Sequence, residues 1–343
     1  MSKIAVIGGG SFGTVVANII ALNGHDVKFW MRSNELVSEV NEIQENKQYL
    51  PGYSLSKKVV ATANMSDAVK KASLIFVAVP SSSFREVVKQ IVVFAPDDAM
   101  LISTTKGIEP GNFKLMSQVL HEESPSSGIG VLSGPNLAKE IASKHPTGTV
   151  IASNNEQIRE TVKDVLRSDT FRVYTNDDMF GIELGGSLKN IYAIIAGLAA
   201  SIGTGHNTNS MLVTRALAEM ARFGRELGAD PMTFLGLAGV GDLVVTCSTP
   251  LSRNYRIGQA LGEGHSIEQA LNEVDQVAEG VNTLKLVKEK ADQLGVYMPL
   301  VNGLYRIIYD GQPINDIVSS LTLSEEALDV EFAAKDEKIL NEI

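Results

Sequence analysis

The chain has 343 residues, 44% of them hydrophobic and 20% charged, and its 40 acidic against 30 basic residues give a net charge of −10. That is ordinary globular composition, long enough for one large or two moderate domains with filled cores. The acidic balance excludes a general nucleic-acid binder, which needs a basic face, but leaves room for a local basic pocket that receives a phosphate.

The one cysteine, Cys247, allows no intramolecular disulfide, which suits a reducing cytoplasm. The start "MSKIAVIGGG" runs straight into a strand and a glycine loop, so no signal peptide is expected. The longest apolar stretch, "IYAIIAGLAASIG" (191–203), is too short to span a bilayer and reads as a buried core helix. No membrane insertion is expected.

In chain order, "KIAVI" (3–7) reads as a buried strand. Phe12, Val15, Val16, Ile19 and Ile20 then follow the spacing of an amphipathic helix, closed by Gly24. The strand "VKFWM" (27–31) follows, then a polar helix from about Asn34. Further strands are expected at 59–62, 74–79, 100–104, 129–133 and 148–152, with helical segments near 66–72, 83–94, 113–121 and 136–143. Strands continuous in Ile, Val and Leu, separated by helices, predict a parallel sheet covered on both faces.

After about Met179 the strand-like runs stop. Helical patterns take over at 187–201, 209–228, 267–274 and 282–295, and the charged tail 331–343 is expected to fray. The predicted fold class is α/β, with an N-terminal Rossmann-like parallel-sheet domain (1–185) followed by an all-α C-terminal domain (186–343).

Gly8, Gly10 and Gly13 in "VIGGGSFG" form G-x-G-x-x-G. Alone this pattern is also that of a glycine-rich turn, but here it follows a strand and opens a helix. Gly8 allows the tight turn, Gly10 lets backbone approach a pyrophosphate at the helix N-terminus, and Gly13 lets helix and strand pack closely. Ser11 and Phe12 lie on the same loop and should touch the cofactor.

An acid about 20 residues on would bind the 2′-hydroxyl of NAD. The second strand instead ends "FWMRS", with no acid until Glu35. Arg32 can pair with a 2′-phosphate and Ser33 can donate to one, so NADPH is preferred with NADH possible; a solvated Arg32 is the plain alternative. The serines of "AVPSSSF" (78–84) should lie beside the nicotinamide half, but helix capping alone explains them.

Polar groups cluster beside glycine in "STTKGIEPG" (103–111), "SGPNLAKEIA" (133–142), "ELGGSLKN" (183–190), "GVGDLVVTCSTPLSRN" (239–254) and "VAEGV" (277–281). Lys106, Lys189 and Arg253 supply cations. Lys189 sits in an apolar helical run, where it either snorkels or serves general acid–base work, with Asn190 beside it to orient a hydroxyl. Asp242 is either a helix N-cap or a partner that fixes Lys189, and Thr246 shares its face one turn on.

These segments, with "GGGSFG" (8–13) and "TTKGIE" (104–109), resemble the bacterial type of NAD(P)-dependent glycerol-3-phosphate dehydrogenase, in order and spacing over nearly the whole chain. The resemblance implies reduction of dihydroxyacetone phosphate to sn-glycerol 3-phosphate, the backbone of phospholipids. It implies cofactor contacts from Ser11, Phe12, Arg32, Lys106, Ala138, Arg253, Val277 and Glu279. It implies substrate contacts from Lys106, Gly134, Asn136, Lys189, Asp242, Ser252, Arg253 and Asn254, with Lys189 as the proton acceptor in the oxidative direction. Thr246 joins the substrate set by its place beside Asp242. The family often has an Asp and then a basic residue where this chain has His206 and Asn209, which puts a charge role there in doubt. Leu137 stands where Phe is common.

The five histidines show no metal-ligand spacing, so no metal is expected. Cys247 lacks a base partner for nucleophilic work. Met211 and Met220 read as core. The partner is a small phosphorylated molecule, and a homodimer is open. Two alternatives are a ketopantoate- or 3-hydroxyacid-type reductase, which would lack "GDLVVTCSTPLSRN", and a redox-sensing NADPH-binding regulator, which would need no proton donor.

Overall fold

The computed structural model describes residues 3–125, 127–274 and 279–322. Strands and helices alternate at first: β1 (Lys3–Ile7), α1 (Ser11–Leu22), β2 (Asp26–Trp30), α2 (Asn34–Ile43), β3 (Val59–Thr62), α3 (Met65–Val69), β4 (Leu74–Val77), α4 (Ser81–Val92), β5 (Met100–Ser103), α5 (Met116–Glu123), β6 (Gly128–Ser133), α6 (Ala138–Ala142), β7 (Thr147–Ala152), α7 (Glu156–Leu166) and β8 (Phe171–Asn176). Helices follow: α8 (Met179–Ser201), α9 (His206–Glu226), α10 (Asp242–Cys247), α11 (Arg253–Gly262), α12 (Ile267–Asn272), α13 (Glu279–Leu294), α14 (Pro299–Tyr309) and α15 (Ile314–Thr322). A π-helical turn at Leu237–Gly241 leads into α10.

All eight strands form one sheet in the order β3-β2-β1-β4-β5-β6-β7-β8. From β1 the chain winds outward through β2 and β3, then returns to add β4 and β5 on the other side. The reversal opens a crevice at the carboxyl ends of β1 and β4, where such sheets bind ligands.

The sheet departs from the expected all-parallel pattern at one place. β7 runs antiparallel to β6, with Leu132 opposite Ile151, and β8 then runs parallel to β7. The reason lies in the connection. After β6 the chain forms the five-residue α6, which packs on α1 rather than covering the sheet back to its amino edge, so the next strand starts from the carboxyl edge. The sequence reading also missed α7 and β8. β8 alternates, with Phe171 and Val173 buried and Arg172 and Tyr174 exposed, so it lacks a continuous apolar run.

α8 holds the helical half together. It is buried along nearly its whole length and packs against α9, α10, α11, α13 and α14, as a helix apolar all round must. α11 crosses it with backbones in contact: a Cβ on Gly258 would stand 1.9 Å from Ile194 O, and one on Gly197 the same distance from Tyr255 O. Position 185/186, the division expected from sequence, falls inside this helix. Met220 is fully buried as expected, but Met211 is 54% exposed: the neighbouring Leu212 and Val213 pack on the helical core, while Met211, half a turn out of phase with Met220, faces outward. Among the described residues, no helix is long and apolar enough to cross a membrane.

Candidate active site

The glycine loop sits between β1 and α1. Gly8 has φ +124°, and a Cβ there would lie 2.3 Å from Ala78 O on the neighbouring chain segment. Gly13 packs against the Gly8 carbonyl, and a Cβ there would be 2.1 Å from that oxygen. At Gly10 an added Cβ would meet nothing within 4 Å, so this face of the loop is open. Ser11 begins α1 and its hydroxyl donates to Tyr49 O at 2.8 Å. Phe12 is half-buried against the core of this domain, as is Ala138 at the start of α6.

Arg32 is exposed just past β2. Ser33 caps α2 by accepting from Leu36 N, and its hydroxyl donates to Glu35 Oε2 at 2.5 Å. That hydrogen bond holds the Glu35 carboxyl below its ordinary range. A 2′-phosphate arriving at Arg32 would therefore compete with Glu35 for the Ser33 proton.

Three strand spacings away, about 14 Å along the sheet edge, a second cluster lies at the carboxyl ends of β5 and β6. Lys106 follows β5; its Nζ donates to Gly134 O and to Asp242 Oδ2, both at 2.7 Å. Lys189, on α8, donates to Asp242 Oδ1 at 2.5 Å and to Thr246 Oγ1 at 2.7 Å. Asp242 thus gives one oxygen to each lysine and is 1% exposed. It caps nothing: it is the first residue of α10, delivered by the π-turn, and its carboxylate takes both lysines, with the Thr246 hydroxyl a longer third donor to Oδ1 at 3.4 Å. Burial pulls the Lys106 amine down to about 8, with Asp242 opposing the shift and Lys189 adding to it.

Around this cluster two buried polar atoms have no partner. They are Ser133 Oγ, at the end of β6, and Asn136 Oδ1, whose amide nitrogen donates to Thr149 Oγ1. Unpaired buried acceptors cost free energy, so a cleft carrying two of them beside two lysines suits a polar ligand. Gly134, with φ +138°, keeps the chain close to Thr149 at this edge. Asn190 is buried next to Lys189.

A third group comes from the helical half. Ser252 caps α11, Arg253 is its first residue, and Asn254 Oδ1 accepts from Gly280 N. Burial lowers the Arg253 guanidinium, Arg256 adds to this, and Glu279 and Tyr49 oppose it. Glu279 opens α13 and reaches back to the other half, accepting from Ser81 N at 3.0 Å and Ser81 Oγ at 2.5 Å. The serines of 81–83 do not cap α4, whose N-cap is Pro80; Glu279 takes that place from the other half of the chain. Ser81 was left unassigned by the sequence because its partner lies 198 residues away. Val277 lies outside the described residues.

Cys247 is buried, and burial pushes its thiol up to about 12, which leaves it unreactive. His206 is exposed at the start of α9, and among the described residues no group of His, Cys, Asp or Glu is placed to hold a metal.

A nucleotide-type loop on a doubly wound sheet, with a buried Lys–Asp–Lys cluster built jointly by the sheet (Lys106) and the helical half (Lys189, Asp242), defines a nicotinamide-nucleotide dehydrogenase. Comparison with known proteins makes the class specific. The family models described as NAD-dependent glycerol-3-phosphate dehydrogenase N-terminus and C-terminus match residues 3–159 and 178–319, and the chain belongs to that family. A protein of Alcanivorax borkumensis named glycerol-3-phosphate dehydrogenase [NAD(P)+] is 54% identical over 96% of each chain. One of Azotobacter vinelandii with the same name is 53% identical, again over 96% of each. The crystal structure of glycerol-3-phosphate dehydrogenase from Coxiella burnetii superposes with a TM-score of 0.90 at 35% identity, covering 94% of this chain and 99% of that one.

Proposed function

We propose that the chain reduces dihydroxyacetone phosphate to sn-glycerol 3-phosphate with NADPH, or NADH, and so supplies the glycerol phosphate backbone of phospholipids. The observation that carries this reading is the sharing of Asp242 between Lys106 and Lys189 at the carboxyl edge of the sheet. The open face at Gly10 and the orphaned acceptors near Lys106 fit a dinucleotide at one end and a polar substrate at the other. When bound, reduced nicotinamide supplies a hydride to the ketone carbon.

An ammonium has three N–H donors. Lys189 spends two, on Asp242 and Thr246, which leaves one for the substrate oxygen. Lys189 protonates the developing alkoxide through it, and takes that proton back in the oxidative direction. Lys106 likewise spends two and has one left; it stabilises the negative charge beside Lys189. Arg253, flanked by Ser252 and Asn254, binds the substrate phosphate, for which a guanidinium fork is suited. Gly134 and Asn136 line the substrate, with Asn190 orienting its hydroxyl. Ser11, Phe12, Ala138, Val277 and Glu279 complete the cofactor contacts. Residues 1–185 carry most of the nucleotide contacts and 186–343 most of the catalytic and phosphate-binding groups, with Lys106, Gly134 and Asn136 reaching the substrate from the first part, Val277 and Glu279 reaching the cofactor from the second, and α8 spanning the division.

Mixing the protein with dihydroxyacetone phosphate and NADPH or NADH should give oxidation of the nicotinamide, followed by its absorbance. No oxidation of either overturns the reading. Arg32→Asp should lower the NADPH/NADH ratio of kcat/KM by about tenfold or more, since a phosphate–guanidinium pair is replaced by a repulsion. An unchanged ratio would make Arg32 a surface charge only.

The lone, buried Cys247 supports a cytoplasmic setting. The exposed apolar side chains Met211, Met232 and Leu235 on the helical half support a homodimer. The fold alone is shared with a ketopantoate reductase from Ralstonia eutropha, at 15% identity and a TM-score of 0.60.

A further inference from the structure

The stretch between α2 and β3 lies across the glycine loop and holds a buried polar group that the reaction above does not use. Asn46 is fully buried. Its Nδ2 donates to Gly9 O and to Thr14 Oγ1, each at 2.8 Å. Thr14 Oγ1 in turn donates to Gly10 O at 2.8 Å. These partners fix which way the amide faces. Gly9 O only accepts, and the Thr14 proton is already spent on Gly10 O, so both contacts demand the NH2 side. Asn46 Oδ1 is left buried and unpaired. A core that only needed filling would hold an apolar residue there at lower cost.

Peptide planarity says what this arrangement does. In a trans peptide the N–H points opposite to the C=O, and no described peptide bond is cis. Holding the Gly9 carbonyl on Asn46 therefore turns the Gly10 N–H the other way. The Gly10 carbonyl is held by the Thr14 backbone N–H at 2.9 Å as well as by its hydroxyl, which does the same for the Ser11 N–H. Gly10 is the N-cap of α1 and borders open space, so these amides face the place where a helix N-terminus receives an anion. A Gly9 carbonyl free to rotate toward that place would repel a phosphate. The stretch that carries Asn46 is itself fastened on both sides. Ser11 Oγ donates to Tyr49 O, Asn18 Nδ2 donates to Ser54 O at 3.1 Å, and Ser56 N donates to Asn18 Oδ1 at 2.8 Å.

We propose that Asn46 is a positioning residue for the cofactor pyrophosphate, which locks the carbonyls of Gly9 and, through Thr14, Gly10 so that the Gly10 and Ser11 amides stay turned toward the phosphates. This rests on the reading of the glycine loop as the cofactor site. The pyrophosphate is common to both nicotinamide cofactors, so the effect is blind to the 2′-phosphate.

The test is fluorescence titration of NADPH and of NADH into the native protein and its variants, with steady-state kinetics beside it. Asn46→Ala should weaken both cofactors by the same factor, about ten- to thirtyfold for two lost hydrogen bonds. The KM for dihydroxyacetone phosphate and kcat at saturating cofactor should change far less. Asn46→Asp, the same size but without the NH2 donor, should be at least as weak. Thr14→Val should lose part of the affinity and Thr14→Ser, which keeps the hydroxyl, should regain it. This pair decides the matter if the Asn46 variants do not fold. Equal affinity in folded variants, or an equal loss in cofactor and substrate terms, overturns the proposal. If the native protein bound neither cofactor, the reading of the loop itself would fall instead.

Discussion

Lys189→Ala is expected to lower kcat for dihydroxyacetone phosphate reduction by about 10³-fold, within the range set by removing a positioned general acid. NADPH affinity should stay within about threefold, because the lost hydrogen bonds run to Asp242 and Thr246 and not to the nucleotide loop. The fold should survive, since Asp242 keeps its bond to Lys106 and no carboxylate is stranded. Stopped-flow measurement of a single turnover, set beside a binding titration, separates the two effects. A variant that binds cofactor and still turns over at a tenth of the native rate would remove Lys189 from the chemistry.

The second large effect is expected at Asp242. Asp242→Asn keeps the shape and a polar oxygen but removes the charge that lets two ammonium groups stand side by side. Burial and Lys189 already hold Lys106 down at about 8, and Asp242 is the group that opposes them. Without it the Lys106 amine titrates at lower pH still, and the lysines lose their common anchor. The kcat/KM for reduction should fall by about 10²- to 10³-fold. Its alkaline limb should move to lower pH, because the protonated form that stabilises the alkoxide is lost earlier as pH rises. A pH–rate profile from 6 to 10 for both proteins checks the direction. A profile displaced upward, or not at all, would mean that Asp242 acts by shape alone.

Some of the molecule was legible because its signal is local. The run "KIAVIGGGSFG" contains a buried strand, a loop that only glycine can form at Gly8, and the apolar stripe of α1. No distant residue is needed to read it. The strands from β2 to β7 were legible for the same reason, each being an apolar run bounded by polar turns. The failures share a cause as well. The direction of β7 depends on where α6 leaves the chain, which is a matter of packing on α1. β8 alternates at a sheet edge and carries fewer apolar residues. Met211 was misassigned for a simpler reason: nine residues from Met220 at about 100° per residue, it falls on the opposite face of α9.

The candidate site divides in the same way. Residue types and their neighbours marked Lys106, Lys189, Asp242 and Arg253 as chemistry-bearing, and family resemblance gave them roles. Asn46 went unremarked and Ser81 unassigned, since a polar residue in a polar loop, or one at a helix start, has no local signature of its partner. Their meaning lies in partners: Asn46 on Gly9 and Thr14, Ser81 on a glutamate from the far end of the chain.

The sequence by itself determined the kind of protein this is, because a glycine loop between strand and helix and the ordered polar segments downstream are short-range patterns that survive in one dimension. Tertiary structure alone decided which groups share a proton and a charge. Lys106 and Lys189 lie 136 and 53 residues from Asp242, and they meet on its two oxygens only because β5 ends where α8 and the π-turn cross the sheet edge. Hydrogen bonds and burial act over a few ångströms, and chain separation says nothing about which residues will come within that reach.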